Sequence, residues 1–257
     1  MSLLESLPQR PLRALFFDVD DTVAPSTQPL EAPMVAALAA LAKRGLRLGF
    51  VSGSSVEQLT RQVTERFFHD HFLLGTSGSH AVFVNAAGKQ TEIFRRGFSD
   101  DERAEILAAL NALIAHYDIR SETTPEDQLQ DRGCQFTLSA LGRGAVEAHK
   151  RAFDPDGAKR REWVDFLLKR LGGERFEIRV GGTTSVDITA RGVDKASGLT
   201  ELLAHAGILP ADCLYFGDRF EETGNDYPVL RVMDCLWVRH PEETLRHLND
   251  LLERNAD

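Results

Sequence analysis

The residues in this chain best able to do chemistry are acids that end apolar runs. In Leu12–Thr22, LRALFFDVDDT, the run stops on Asp18, and Asp20 follows two positions later. Five of the six residues from Ala14 to Val19 are apolar, the pattern of a strand buried on both faces of a parallel sheet. In an extended chain Asp18 and Asp20 project from the same side. Two ionised carboxylates that close repel by a few kcal/mol at an effective dielectric of about 20. Burying one is costly unless a cation or strong donors meet it. The pair therefore calls for a divalent ion, a proton or both. Chemically, one ionised carboxylate can attack while a protonated neighbour acts as acid. Taken alone, an Asp-rich turn facing water would also account for the motif.

A second apolar run, Cys213–Gly217 (CLYFG), also ends in acid, as Gly217-Asp218-Arg219-Phe220-Glu221-Glu222-Thr223-Gly224-Asn225-Asp226. Asp226 lies eight residues beyond Asp218, and Gly224 allows a tight return of the loop. Mg2+ takes a few carboxylate oxygens plus waters, which Asp18 with Asp218 could supply. A third run, Arg47–Val51, ends in Ser52-Gly53-Ser54-Ser55 before a predicted helix over Val56–Val63. The free N–H groups of that helix start favour an anion, and a Ser hydroxyl can donate to a phosphoryl oxygen. Helix capping would use the same serine equally well. Lys195 opens another helix just before the second acidic strand, where an ammonium would offset negative charge gathering at Asp18. A lysine there could equally be a solvated surface residue.

The elements that must hold these tips together follow from periodicity. Glu31–Arg44 has helical spacing through Met34, Leu38 and Leu41, with Gly45 as its stop. Strand, helix and strand of this length imply a right-handed parallel crossover, which puts both polar turns on the carboxyl edge of the sheet. A short strand at Phe72–Leu74 precedes a hairpin, Ala81–Asn85 with Thr91–Phe94. The pattern then changes to a helix over Asp100–His116, an alternating strand over Gln135–Leu141, a helix over Arg160–Leu171, and strands over Arg175–Gly181 and Ser185–Thr189. This reads as an inserted α+β domain at 91–191, with residues 1–90 and 192–257 forming a discontinuous α/β core. The core resumes with a helix to His205, the Cys213–Gly217 strand, a short strand over Leu236–Arg239 and an amphipathic helix over Pro241–Leu252.

With 257 residues, 42% hydrophobic and 27% charged, the chain can bury a large core and reads as soluble and globular. A net charge of −9 argues against a general nucleic-acid or anionic-membrane binder. The N-terminal residues lack the run of about 18 apolar positions that a membrane helix needs. Cys134, Cys213 and Cys235 are odd in number and far apart, which suits a reducing cytoplasm rather than a disulfide framework or zinc site.

The strand ending in D-x-D-x-T, the hydroxyl turn, Lys195 and the rear acids, in this order, resemble the haloacid dehalogenase-like (HAD) superfamily over nearly the full chain. The insert resembles the cap of subfamily IIB. More narrowly, FGDRFEETGNDYPV and SVDITARGVDK look like the phosphomannomutases of that subfamily. The resemblance implies a Rossmann-like HAD core with a parallel sheet, an inserted α+β cap closing over it, and Mg2+ as cofactor. It implies Asp18 as nucleophile and Asp20 as acid and then base, with Lys195 also catalytic. Ser52, Gly53, Ser54 and Lys195 would bind the phosphoryl group; Asp18, Asp20, Asp218, Asn225 and Asp226 would make up the metal site. Arg132, Arg143, Lys150, Ser185 and Asp187 of the cap would hold a hexose phosphate. Residues 141–180 carry ten Lys or Arg against seven Asp or Glu, which suits an anionic substrate, although a solvated surface explains such a surplus too.

Four positions depart from the pattern. Asp21 stands where the family usually has Gly, Lys150 replaces an Arg, Thr27 replaces a further arginine of the mutases, and Ser52 brings a hydroxyl that phosphatases carry. The expected activity is a Mg2+-dependent sugar phosphatase working through an aspartyl phosphate. The alternative is a hexose phosphomutase using a bisphosphate activator, and a third reading is a silent module that binds a phosphorylated ligand. A small phosphorylated sugar is the expected partner, with neither nucleic acid nor membrane, and a homodimer is compatible with the resemblance.

Overall fold

A computed structural model describes residues 2–222 and 224–254. The chain divides into two compact units, Met1–Arg95 with Val193–Asp257, and Arg96–Gly192. In chain order the first unit begins with β1 (Leu3–Leu4), β2 (Ala14–Asp18), α1 (Ala32–Lys43), β3 (Arg47–Val51), α2 (Val56–Leu59), β4 (His71–Gly75), β5 (His80–Val84) and β6 (Gln90–Arg95). The second unit holds α3 (Asp100–His116), α4 (Pro125–Gln128), β7 (Leu129–Asp131), β8 (Gln135–Ser139), α5 (Glu147–Phe153), α6 (Ala158–Leu171), β9 (Phe176–Val180) and β10 (Ser185–Ala190). The chain returns to the first unit with α7 (Lys195–Ala206), β11 (Cys213–Gly217), β12 (Asp234–Trp237) and α8 (Pro241–Arg254).

The first unit is an eight-stranded sheet in the order β1-β12-β11-β2-β3-β4-β5-β6, parallel from β1 to β4 and antiparallel through the β5 and β6 hairpin. Strands β2, β3 and β11 are apolar at nearly every position because both faces are covered. On one face Phe17 stacks between Phe50 and Phe216, with centroids 5.8 and 5.1 Å away, among residues of α1 and α8. On the other, Phe16 and Tyr215 pack with Leu199, Leu202 and Leu203 of α7. The register pairs Asp18 with Val51 and Phe17 with Phe216, so β11, β2 and β3 end side by side on one edge. This parallel sheet with flanking helices is the mixed α/β architecture expected from the apolar runs.

In the second unit the antiparallel sheet runs β7-β8-β10-β9. Phe136, Leu138, Val186, Ile188 and Ile178 supply its apolar face, covered by Ile106, Leu110 and Leu113 of α3 and Trp163 and Leu167 of α6. The alternate residues are polar: Gln130 lies opposite Thr137, and Asp187 opposite both Thr137 and Arg179. Helix α3 starts where Ser99 caps the Glu102 amide and Glu102 answers to Ser99, a reciprocal box.

Most boundaries shift by one or two residues, and three differences have a structural cause. Strand β6 is hydrogen-bonded to β5, so residues 91–95 belong to the first unit and the second begins at Arg96. The predicted helix over 56–63 gives way at Thr60 to a π-helical turn, Thr60–Thr64. The last strand lies at Asp234–Trp237 rather than 236–239, because Asp234 pairs with Leu214 and binds the Ser2 amide. Among the described residues no helix is long and apolar enough to cross a membrane.

Candidate active site

Asp18 closes β2 and is buried, 5% exposed. Lys195, the first residue of α7, is also buried, with its ammonium bonded to Asp18 Oδ1 and to Asp226 Oδ1 at 2.7 Å. Two glycines let α7 approach the sheet edge closely enough for this. A Cβ on Gly78 would meet the Asp194 carbonyl oxygen at 2.2 Å, and one on Gly198 would meet the Gly78 backbone at 2.3 Å. The Asp194 side chain caps the helix on the Ser197 amide at 2.7 Å.

Asp226 is fully buried and has two further donors around it. Its Oδ1 accepts from the Tyr215 hydroxyl at 2.6 Å and its Oδ2 from the Arg219 amide at 3.1 Å; the Tyr215 hydroxyl also lies 3.4 Å from the Lys195 ammonium. Gly217 makes room, since a Cβ there would sit 2.6 Å from Asp226 Oδ2. Half-buried Asp218 follows β11, and its carbonyl accepts the Trp237 indole N–H at 2.9 Å.

Asp18, Asp218 and Asp226 each offer an oxygen within 4.8 Å of the others. Three carboxylates face one ammonium, which leaves surplus negative charge in a buried pocket of hard oxygen donors. Burial pushes the Asp18 carboxyl up to about 8; Lys195 pulls against this and the Asp226 charge adds to it. Asp218 is raised for the same reasons, burial first and Asp226 second. Burial alone would lower Lys195, but Asp18 and Asp226 outweigh it and hold the ammonium protonated. An oxygen-only donor set with excess negative charge fits a hard divalent cation.

Asp20 lies just beyond the strand. Its Oδ1 accepts from the Thr27 amide at 2.6 Å and from Gln62 Nε2 at 3.1 Å. The turn that follows holds Asp21 at φ 60°, the left-handed region that Asp tolerates and Gly would adopt freely. Ser52 is buried after β3, and its hydroxyl accepts the Ser54 amide at 3.0 Å, folding the Ser52-Gly53-Ser54 turn on itself. Capping of α2 falls to Ser55. The structure thus brings Asp18, Lys195, Asp218 and Asp226 together. Asn225 stands exposed on the loop and joins no hydrogen bond or ion pair among the described residues.

The predicted substrate residues lie in the second unit. Asp187 Oδ1 accepts the Thr137 hydroxyl at 2.6 Å, and half-buried Ser185 precedes it on the same face of β10. Arg132 donates to Gln130 at 2.8 Å; burial lowers its pKa, the Asp187 charge opposes this and Arg143 reinforces it. Lys150 reaches the Arg143 carbonyl at 3.3 Å and Glu147 at 3.2 Å, so part of its charge is spent locally.

Sequence reasoning missed Tyr215, Gln62 and Thr137. A signal existed for the first: a tyrosine inside a doubly buried strand needs a partner for its hydroxyl.

Comparison with known proteins bears on the family and the fold. The family described as eukaryotic phosphomannomutase matches residues 34–254. Phosphomannomutase 2 of Dictyostelium discoideum is 24% identical over 244 residues, covering 91% of this chain and 94% of its own. Phosphomannomutase of Galdieria sulphuraria is 24% identical over 265 residues, covering 98% and 99%. Among solved structures, an N-terminally truncated IMP-nucleotidase of Plasmodium falciparum superposes with a TM-score of 0.67 at 18% identity, over 95% of this chain and 71% of that one. A HAD-superfamily phosphatase of Bacteroides thetaiotaomicron gives 0.63 at 15% identity, over 96% and 97%. At such identities the structures speak for the fold alone.

Proposed function

The chain belongs to the eukaryotic phosphomannomutase family, and we propose that it transfers the phosphoryl group of a hexose phosphate through a covalent aspartyl phosphate on Asp18. The observation that carries this reading is the convergence of Asp18, Asp218 and Asp226 on Lys195, with Asp20 two residues beyond the nucleophile. An Asp18 oxygen attacks phosphorus in line with the leaving oxygen. Asp20 gives its proton to that oxygen and later takes one from the incoming acceptor. Ser52, Gly53 and Ser54 hold phosphoryl oxygens together with Lys195. Asp18 and Asp218, with Asp226 and Asn225 behind them, are the residues that would hold Mg2+, which when bound would offset the negative charge of phosphate meeting carboxylate. Arg132, Arg143, Lys150, Ser185 and Asp187 recognise the sugar and its distal phosphate. A reducing cytoplasm suits the three buried free cysteines.

The final acceptor separates two activities. Family membership supports a sugar hydroxyl, and so interconversion of mannose 1-phosphate and mannose 6-phosphate. Thr27, in place of an arginine, and the Ser52 hydroxyl support water, and so a phosphatase. Incubation with mannose 1-phosphate and Mg2+, with and without a hexose bisphosphate, tests both. Mannose 6-phosphate formed on addition of the bisphosphate supports the mutase; free phosphate supports the phosphatase. Neither product, or turnover that survives Asp18→Asn, overturns the aspartyl-phosphate reading.

A further inference from the structure

Gln62 has a position that the proposed chemistry does not yet use. It lies in the π-helical turn that follows α2, 42 residues along the chain from Asp20, and is 3% exposed. Its Nε2 donates to Asp20 Oδ1 at 3.1 Å and to the Gln28 carbonyl at 3.3 Å. The amide orientation is unambiguous, because turning it over would set Oε1 against two acceptors. The Gln62 backbone carbonyl accepts the Leu30 amide at 2.9 Å, which ties the turn to the segment after Thr27. Among the described residues the Gln62 Oε1 has no partner although it is buried. A buried acceptor without a donor costs free energy, and such sites cluster where function outweighs stability. Local π-helical turns concentrate at functional sites for the same reason.

Asp20 Oδ1 receives a second donor, the Thr27 amide at 2.6 Å, from a residue held at φ 61°. For a threonine that left-handed conformation is strained. Two donors, each held in place at some cost, therefore converge on one oxygen of one carboxyl group.

We propose that Gln62 is a positioning residue for proton transfer: with the Thr27 amide it takes up Oδ1 of Asp20 and presents Oδ2 to the leaving group. This rests on the phosphoryl-transfer reading. In the first half-reaction the bond from Asp18 to phosphorus forms as the bond from phosphorus to the leaving oxygen breaks. The electron pair goes to that oxygen, which takes the proton from Asp20 Oδ2. Asp20 is left as a carboxylate whose charge the two donors on Oδ1 stabilise. Without Gln62 the carboxyl group can rotate, and fewer encounters have Oδ2 aimed correctly.

Gln62→Met removes the donor at nearly constant volume, and Gln62→Glu keeps the shape while placing an acid beside Asp20. Single-turnover phosphorylation is measured for each variant on a hexose phosphate and on p-nitrophenyl phosphate, whose phenolate leaves without a proton at neutral pH. General acid catalysis is worth about 10²- to 10⁴-fold, so lost orientation should slow the hexose phosphate by about 10- to 100-fold. The p-nitrophenol burst should stay within about threefold of wild type, with a normal melting temperature. Equal loss on both substrates assigns Gln62 a structural role and overturns the proposal, as does no loss on either. If the wild-type protein forms no acyl phosphate, the phosphoryl-transfer reading itself fails and the role of Gln62 goes with it. Either variant that folds gives the answer.

Discussion

Lys195→Met is the perturbation whose consequence the structure fixes most narrowly. The side chain is 1% exposed, and its ammonium is the only cation hydrogen-bonded to Asp18 or Asp226 among the described residues. Methionine fills much of the space and leaves three carboxylates within 4.8 Å of one another. At that separation each ionised pair repels by about 3.5 kcal/mol at an effective dielectric of about 20. Removing one partner from a buried ion pair typically costs about 3–5 kcal/mol, and that is the loss expected at pH 8 in chelator. The sign of the pH dependence follows from linkage. Asp18 already titrates near 8 when folded against 3.8 as a model acid, so the native state binds the extra proton and stability falls as pH rises between those values. Without the ammonium the carboxyl groups rise further, so the deficit against wild type should shrink at pH 5. Urea unfolding in chelator at both pH values measures it. A loss below about 1 kcal/mol at pH 8, or a larger loss at pH 5, refutes the reasoning, because either would mean that Lys195 does not neutralise this pocket.

Mg2+ affinity should rise with pH up to about 8, because the ion displaces protons from Asp18 and Asp218, both raised by burial; titration calorimetry in two buffers of different ionisation enthalpy should register proton release. Tyr215→Phe deletes one donor to buried Asp226 and should cost about 1.5–3 kcal/mol in urea, with weaker Mg2+ binding in the same preparation. Gly217→Ala puts a Cβ 2.6 Å from Asp226 Oδ2 and 2.9 Å from the Tyr215 ring, so it should destabilise by about 1–3 kcal/mol, and a silent substitution would contradict the packing described.

How far the site was legible depended on how local its signals were. The strand ends at Asp18, Val51 and Gly217 could be read because each breaks an apolar run abruptly, and parallel crossover geometry places such ends on one edge. Helix α3 falls on the residues the sequence reading gives it, Asp100–His116, and the structure shows a local start signal in the Ser99–Glu102 box. Strands β1 and β7, with two and three residues, are too short to show any period, and pairing with β12 and β8 alone defines them. The sequence reading puts residues 91–95 in the insert although the helical pattern starts only beyond them; hydrogen bonding of β6 to β5 keeps them in the first unit. Tyr215 and Gln62 were passed over because their partners, Asp226 and Asp20, lie 11 and 42 residues away, and only the fold brings them into contact. The sequence offers Ser52, Ser54 and Ser55 as equivalent in type, and only the backbone direction gives the cap of α2 to Ser55 and the turn contact to Ser52.

Asp18 is the group proposed to carry the phosphoryl moiety. Borohydride reduction of an acyl phosphate converts the aspartate to homoserine, so the protein should be quenched during turnover of mannose 1-phosphate, reduced and mapped by peptide mass spectrometry. Homoserine at position 18, absent without substrate and absent in Asp18→Asn, is the predicted result. Turnover without modification at that position, or with homoserine at another aspartate, would contradict it.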